Sequence, residues 1–298
     1  MNLHAFLDEY TVSLAALLMG RRRYFSQSVD SPPLAELLET THLTLPDIEG
    51  EGVYEVTAET VVGRLDPAFR LAQWLGPEHP TLIYHHGSNE RPFEEGRFSK
   101  NTFKKVILDH REQFAANLIA LRAPWHRSLR TYMERVTELR SFAAMLAVSV
   151  QMVEALQAWS RAQGSPRVLV AGISLGGWVT NLHRAYRNTA DIYAPMLAGA
   201  ALDELFVSSA YRRLTGEAAR QNPERVRHAL NFEEAFAAVP VANVFALLAR
   251  HDRIIVYERQ RQSYGDHPIT VLDKGHTTAT LDADALSRFL LAQLDRGV

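Results

Sequence analysis

The stretch Arg167-Val168-Leu169-Val170-Ala171-Gly172-Ile173-Ser174-Leu175-Gly176-Gly177-Trp178 decides the fold. Five residues ending in a buried-looking Val-Leu-Val-Ala run read as a strand, and Trp178 to His183 continue as a helix. Between them Gly172-Ile173-Ser174-Leu175-Gly176 matches G-x-S-x-G, in which small residues flanking the serine let the chain turn sharply and expose its oxygen at the strand's end. The motif alone is weak in a chain with 16 glycines; its strand-to-helix context gives it meaning.

Working outward, short continuous apolar runs recur at Thr81–Tyr84, Ala116–Leu121, Val168–Ala171, Asp191–Met196, Val241–Leu248 and Ile269–Leu272. Such runs suit strands covered on both faces by helices. Helical stretches lie between them, notably Tyr132–Ala162 and Ala283–Leu294, so the pattern predicts a mostly parallel α/β sheet. Tyr54–Val62 reads as an early strand with Phe69–Leu75 as its partner. The roughly forty residues between Gly199 and Val241 exceed the usual short αβ connection. They are read as a helical cap inserted at about 201–240, against the plainer alternative of a connecting helix with a long loop. The expected division is an N-terminal helical extension over 1–52 and a main domain over 53–298.

A serine hydroxyl needs a base, and the base an orienting acid. Asp252 sits at the carboxyl end of the strand read over Val244–Ala249 and His276 follows the strand Ile269–Leu272, giving the order Ser174, Asp252, His276 expected downstream of such an elbow. Gly275 is expected to permit the turn that presents His276. Asp203 is the rival acid; His251 and His183 are weaker base candidates. Oxyanion donors are expected from the backbone of Leu175 and of Gly87 and Ser88, in Tyr84-His85-His86-Gly87-Ser88. The loop after Leu121 brings Arg122, Trp125 and His126 toward the same face, and with His86 these are candidate substrate contacts.

These motifs, Gly172 to Gly176, His86-Gly87, Asp252 and Gly275-His276, resemble the α/β-hydrolase superfamily from about Val53 to the end of the chain. The resemblance implies an eight-stranded, mostly parallel sheet, a Ser/Asp/His triad and no cofactor. Within that superfamily Ser174 disfavours epoxide hydrolases and dehalogenases, which carry aspartate at the elbow. The chain leaves no room for the propeller that usually precedes prolyl-oligopeptidase-like peptidases. A carboxylic-ester hydrolase acting through an acyl-enzyme is the leading expectation. An acyltransferase or C–C bond hydrolase on the same triad, or a non-catalytic binding protein on the fold, are the alternatives.

Composition narrows the partners. The 298 residues carry 32 Lys and Arg against 34 Asp and Glu and no cysteine, which removes disulfide frameworks, thiolate nucleophiles and zinc–thiolate sites and gives no charge reason to expect nucleic acid. A small-molecule substrate, no metal, a possible homo-oligomer and a cytoplasmic location are expected. Leu3, Phe6, Leu7, Tyr10, Leu14, Leu17 and Leu18 recur at helical spacing before Gly20 and Arg21 to Arg23. A packed amphipathic helix is preferred there over a membrane-surface anchor. Acids precede the apolar stretch, which argues against a secretory signal, and it is too short to span a bilayer.

Overall fold

A computed structural model describes residues 2–20, 22–96 and 99–296; Arg21, in the expected helix-terminal cluster, lies outside them. Eight strands form one sheet: β1 (Gly52–Glu55), β2 (Ala68–Gln73), β3 (Thr81–His85), β4 (Asn117–Arg122), β5 (Val168–Ile173), β6 (Ile192–Met196), β7 (Ala246–Ala249) and β8 (Ile269–Leu272). Their spatial order is β1-β2-β4-β3-β5-β6-β7-β8. β1 and β2 run antiparallel to their neighbours, and the remaining pairs are parallel. Every residue of β3 to β7 is buried, which explains why these strands read as unbroken apolar runs. β3 lies between β4 and β5, with His85 level with Gly172, so the loop after β3 and the turn after β5 emerge side by side.

The early strand expected over Tyr54–Val62 divides. Gly52–Glu55 joins the main sheet, whereas Ala58–Thr60 pairs with His42–Leu43 and Gly63–Leu65 in a separate three-stranded sheet. Gly63, at φ +96°, closes that hairpin in the left-handed region open to glycine.

The helix expected over Tyr132–Ala162 is also two, Leu129–Arg135 and Leu139–Ala162. The break has a partner: Phe25 and Gln27 N–H donate to the carbonyls of Val136 and Thr137, and Leu139 N–H donates to Ser28. The N-terminal segment therefore takes backbone groups that a continuous helix would have used internally. Tyr24 and Phe25 are fully buried beside Phe142 and Phe206, and the helix Leu34–Glu39 buries Leu34, Leu37 and Leu38. Leu139–Ala162 is long and apolar enough to cross a membrane, but most of it is buried in the fold as a core helix.

The first helix, Leu3–Met19, is docked opposite to expectation. Its buried residues are Asp8 and Val12, with Ala15, Ala16 and Met19 partly covered. Leu3, Phe6, Tyr10, Leu14, Leu17 and Leu18 all face outward, Leu17 and Leu18 being 77% and 78% exposed. Two helical faces competed, and hydrogen bonding by Asp8 together with small side chains selected the less apolar one.

Between β6 and β7, residues 201–240 form a run of short helices: Leu202–Val207, Ala210–Leu214, Glu217–Gln221, Pro223–Leu230 and Glu233–Ala237. The stretch is not one connecting helix. Leu205, Phe206, Tyr211 and Leu214 from it line a cavity over the carboxyl ends of the strands.

Candidate active site

At the end of β5 the backbone of Ser174 adopts φ 54° and ψ −109°, a conformation that L residues rarely hold and that costs on the order of 1–3 kcal/mol. The surroundings enforce it. Ser174 N–H donates to Met196 at 2.9 Å, and the turn closes so tightly that a Cβ on Gly172 would lie 2.4 Å from the backbone of Gly176. A Cβ on Gly176 would lie 2.0 Å from the carbonyl oxygen of His85. Only glycine fits these two sites, and the strain leaves Ser174 half-buried on the cavity wall at the start of the helix Leu175–Tyr186.

His276 begins the short helix His276–Thr280 after β8, and Asp252 lies in the loop after β7. Asp252 Oδ2 and His276 Nδ1 are 2.8 Å apart with the carboxylate buried. The other oxygen, Oδ1, accepts from Ile254 and Ile255 N–H at 2.8 and 2.7 Å, so both oxygens are committed and the carboxylate cannot rotate freely. Burial works against charge on His276. The Asp252 carboxylate and its hydrogen bond, helped by Asp8, outweigh burial and raise the imidazole above its ordinary 6.5. Asp252 is itself pushed up by burial, an effect that His276 opposes. Ser174 and His276 line one cavity, and neither the serine hydroxyl nor His276 Nε2 has a hydrogen-bond partner among the described residues.

The rival groups are occupied elsewhere. Asp203 accepts from Asn231 at 2.8 Å and has Arg227 at 3.8 Å. His183 is buried between Glu154 and Tyr193, and His251 pairs with Asp273 at 2.7 Å.

On the oxyanion side, Gly87 N–H donates to the half-buried carboxylate of Glu90 at 3.0 Å, and Glu90 also accepts from the Thr102 N–H and hydroxyl at 2.7 and 2.8 Å. Gly87 is therefore not the donor its position suggested; its N–H anchors the loop. Ser88 and Leu175 N–H have no partner among the described residues, and both residues line the cavity. Glu90 drew no notice in the sequence, because nothing in the spacing of a lone glutamate signals which N–H it will accept.

The four expected substrate contacts lie elsewhere. His86, Arg122, Trp125 and His126 are buried and none lines the cavity. His86 is tied to Gly87 and Ala123, and Arg122 pairs at 2.6 Å with Glu55 of β1. Burial pushes His85 down to about 4 and His126 to about 3, so these imidazoles stay neutral packing groups. The wall is built instead from residues that sequence reasoning did not single out as contacts, notably Val12, Phe142, Trp178, Phe206 and Ile254. Among the described residues no group of three or more His, Asp or Glu side chains is arranged to hold a metal ion.

Strand order, crossover pattern and the strained serine between β5 and its helix define the α/β-hydrolase fold, and the chain has that fold. Solved structures agree. Acetyl xylan esterase 1 from Thermoanaerobacterium sp. superposes with TM-score 0.55 at 14% identity, covering 93% of this chain and 98% of that one. An esterase from Pyrococcus furiosus gives 0.53 at 14% identity, over 90% and 99%. An acylaminoacyl peptidase from Pyrococcus horikoshii gives 0.54 at 11% identity, over 83% of this chain and only 40% of that longer one. No protein-family model and no curated protein sequence matches the chain.

Proposed function

We propose that the chain is a serine hydrolase that cleaves carboxylic esters of small molecules through an acyl-enzyme. The observation carrying this reading is the buried 2.8 Å pair between Asp252 and His276 on the cavity that the strained Ser174 faces. Asp252 holds the proton on Nδ1, which leaves Nε2 as the lone-pair nitrogen that faces the substrate side.

His276 Nε2 takes the proton from Ser174 Oγ as Oγ attacks the ester carbonyl carbon. The carbonyl π pair moves to oxygen, and the resulting oxyanion meets the N–H groups of Leu175 and Ser88. As that pair returns, the bond to the alkoxy oxygen breaks and His276 delivers its proton to the departing alcohol. Water then repeats the sequence on the acyl-serine, releasing the acid and regenerating Ser174.

The cavity volume of about 370 Å³ falls at the small end of the range for ligand sites, about 300–1,000 Å³. Its walls are largely apolar, with Phe142, Trp178, Phe206, Leu205 and Ile254. These dimensions favour a short or medium neutral acyl ester over a polymer chain. A fluorophosphonate probe provides the test: Ser174 becomes covalently labelled, and Ser174→Ala abolishes labelling and ester hydrolysis while the melting temperature stays unchanged. Labelling that persists in the alanine variant overturns the assignment.

A further inference from the structure

The N-terminal helix reaches the reaction centre through one side chain. Asp8 is fully buried, and its carboxylate accepts three backbone hydrogen bonds: Thr277 N–H at 2.8 Å on Oδ1, and His276 N–H at 2.8 Å and Arg253 N–H at 3.1 Å on Oδ2. Arg253 follows Asp252 in the acid-bearing loop, and His276 and Thr277 open the base-bearing helix. One carboxylate thus ties together the two loops whose separation sets the Asp252–His276 hydrogen bond. We propose that Asp8 is a positioning residue for the Ser174 chemistry, clamping the Asp252 and His276 loops so that the imidazole is held in line between its acid and the serine. This inference rests on the hydrolase reading above.

Three further observations converge on the same contact. Gly275 has φ −92° and ψ 179°, extended backbone open to any residue, so the turn itself does not require glycine. Space does: a Cβ there would lie 2.8 Å from Asp8 Oδ2 and 2.8 Å from the His4 carbonyl oxygen. His4 Nδ1 lies 2.9 Å from the Thr278 hydroxyl, a second tie between the same two helices. Thr11, Val12 and Ala15, one to two turns beyond Asp8, line the cavity. The helix that supplies the clamp is also a wall of the site.

Hydrogen bonds from backbone N–H to a carboxylate are short and stronger than neutral ones, which suits a clamp better than apolar contact would. Asp8 also adds a negative charge near the imidazole, in the direction that favours its protonated form. The other charged groups around His276 are Asp252 on the β7 loop, and Glu90, Lys100 and Lys105 across the cavity. Behind the loops, Glu9 is paired with Arg213, and Lys274 with Asp282 at 2.7 Å. His4 and His251 stack on each other.

The test compares the full-length parent with Asp8→Asn, Asp8→Ala and Gly275→Ala. 4-Nitrophenyl acetate hydrolysis is followed across pH, the His276 ring is titrated by NMR, and circular dichroism monitors folding. Displacing a reacting group by about 1 Å costs about a hundredfold in rate. The expected result for both Asp8 variants is therefore kcat lower by about ten- to a hundredfold, with KM within about threefold of the parent. The acid limb of kcat/KM and the NMR midpoint of His276 move to lower pH, because an anion favouring imidazolium is gone. A merely structural role would move neither midpoint. Gly275→Ala keeps the carboxylate but wedges it away, and lowers kcat in the same direction. The proposal is overturned if folded Asp8 variants keep kcat within about twofold of the parent, or if both midpoints stay put. It is equally overturned if activity falls only in proportion to the folded fraction. A parent that hydrolyses no ester and takes no label refutes the hydrolase reading instead, and the NMR comparison then still decides the role of Asp8.

Discussion

Replacing Asp252 by asparagine asks the site to choose between two hydrogen-bond patterns, and the structure says which it takes. In the parent, Oδ1 accepts from Ile254 and Ile255 N–H and Oδ2 faces His276 Nδ1. An asparagine keeps one acceptor. If its oxygen stays with the two backbone donors, its NH2 group points at His276 Nδ1, which must then accept; the ring proton moves to Nε2, and the base is in the wrong tautomer to take a proton from Ser174. The flipped amide restores the tautomer but strands two buried N–H groups, at about 1–3 kcal/mol each. The competent orientation is then disfavoured by about 2–6 kcal/mol, so it is populated at no more than about one part in thirty. The carboxylate charge that stabilises the imidazolium is lost as well. Together these effects predict a fall in kcat of about 10⁴, the loss known for the corresponding change in serine-protease triads, or about 5.4 kcal/mol at 1.36 kcal/mol per decade. The assay is 4-nitrophenyl acetate turnover by Asp252→Asn beside Asp203→Asn, with folding checked by circular dichroism. Retention of more than about a tenth of the parent kcat by Asp252→Asn, or greater damage from Asp203→Asn, would refute the reasoning.

Three further outcomes follow from the geometry. His276 must be neutral to act as a base and its pKa is raised, so kcat/KM should climb with pH through a midpoint above 6.5; a midpoint below 6.5 contradicts the balance of Asp252 against burial. Gly176→Ala places a Cβ 2.0 Å from a backbone oxygen that no rotamer can move; it should destabilise the fold by upwards of about 3 kcal/mol and prevent labelling, as thermal melts and the fluorophosphonate probe would report. Gly50→Ala, at a bend before β1 where a Cβ meets nothing within 4 Å, should melt within a few degrees of the parent; a similar loss there would mean that replacing glycine as such, not the elbow clash, is what destabilises.

What could be read in the sequence was what local chemistry writes into adjacent residues. Gly172-Ile173-Ser174-Leu175-Gly176 specifies a turn through sterics within five positions, and β3 to β7 announce themselves because both faces of each are covered. Asp252 and His276 were visible because each directly follows a strand. The misreadings share a different cause. Arg122 ends β4 beside the candidate site, yet its charge is matched by Glu55, 67 positions earlier in the chain. Gly87 was a sound candidate donor until Glu90 claimed its N–H. The apolar stripe of Leu3–Met19 suggested the buried face, but a helix can be held by polar contacts, and Asp8 carries no local signal of the loops it will meet.

That last point bears on how the chain divides its labour. The sheet and the helices Leu139–Ala162 and Leu175–Tyr186 bury an extensive apolar core, whereas the N-terminal helix contributes Val12 and the partly covered Ala15, Ala16 and Met19 to it. Its attachment therefore depends on directional contacts: the three hydrogen bonds to Asp8, the His4–Thr278 contact and the Glu9–Arg213 pair. Segments with few buried apolar contacts open at lower free energy than the core around them. An opening of this helix withdraws Asp8 from the Asp252 and His276 loops and Val12 from the cavity wall together, while the turn at Ser174 stays fixed by Gly172 of β5 and Gly176 of the helix that follows. On the proposed mechanism, the geometry of Ser174 belongs to the core, and the alignment of His276 depends on a surface helix. Conditions that loosen that helix are therefore expected to suppress turnover before they melt the fold.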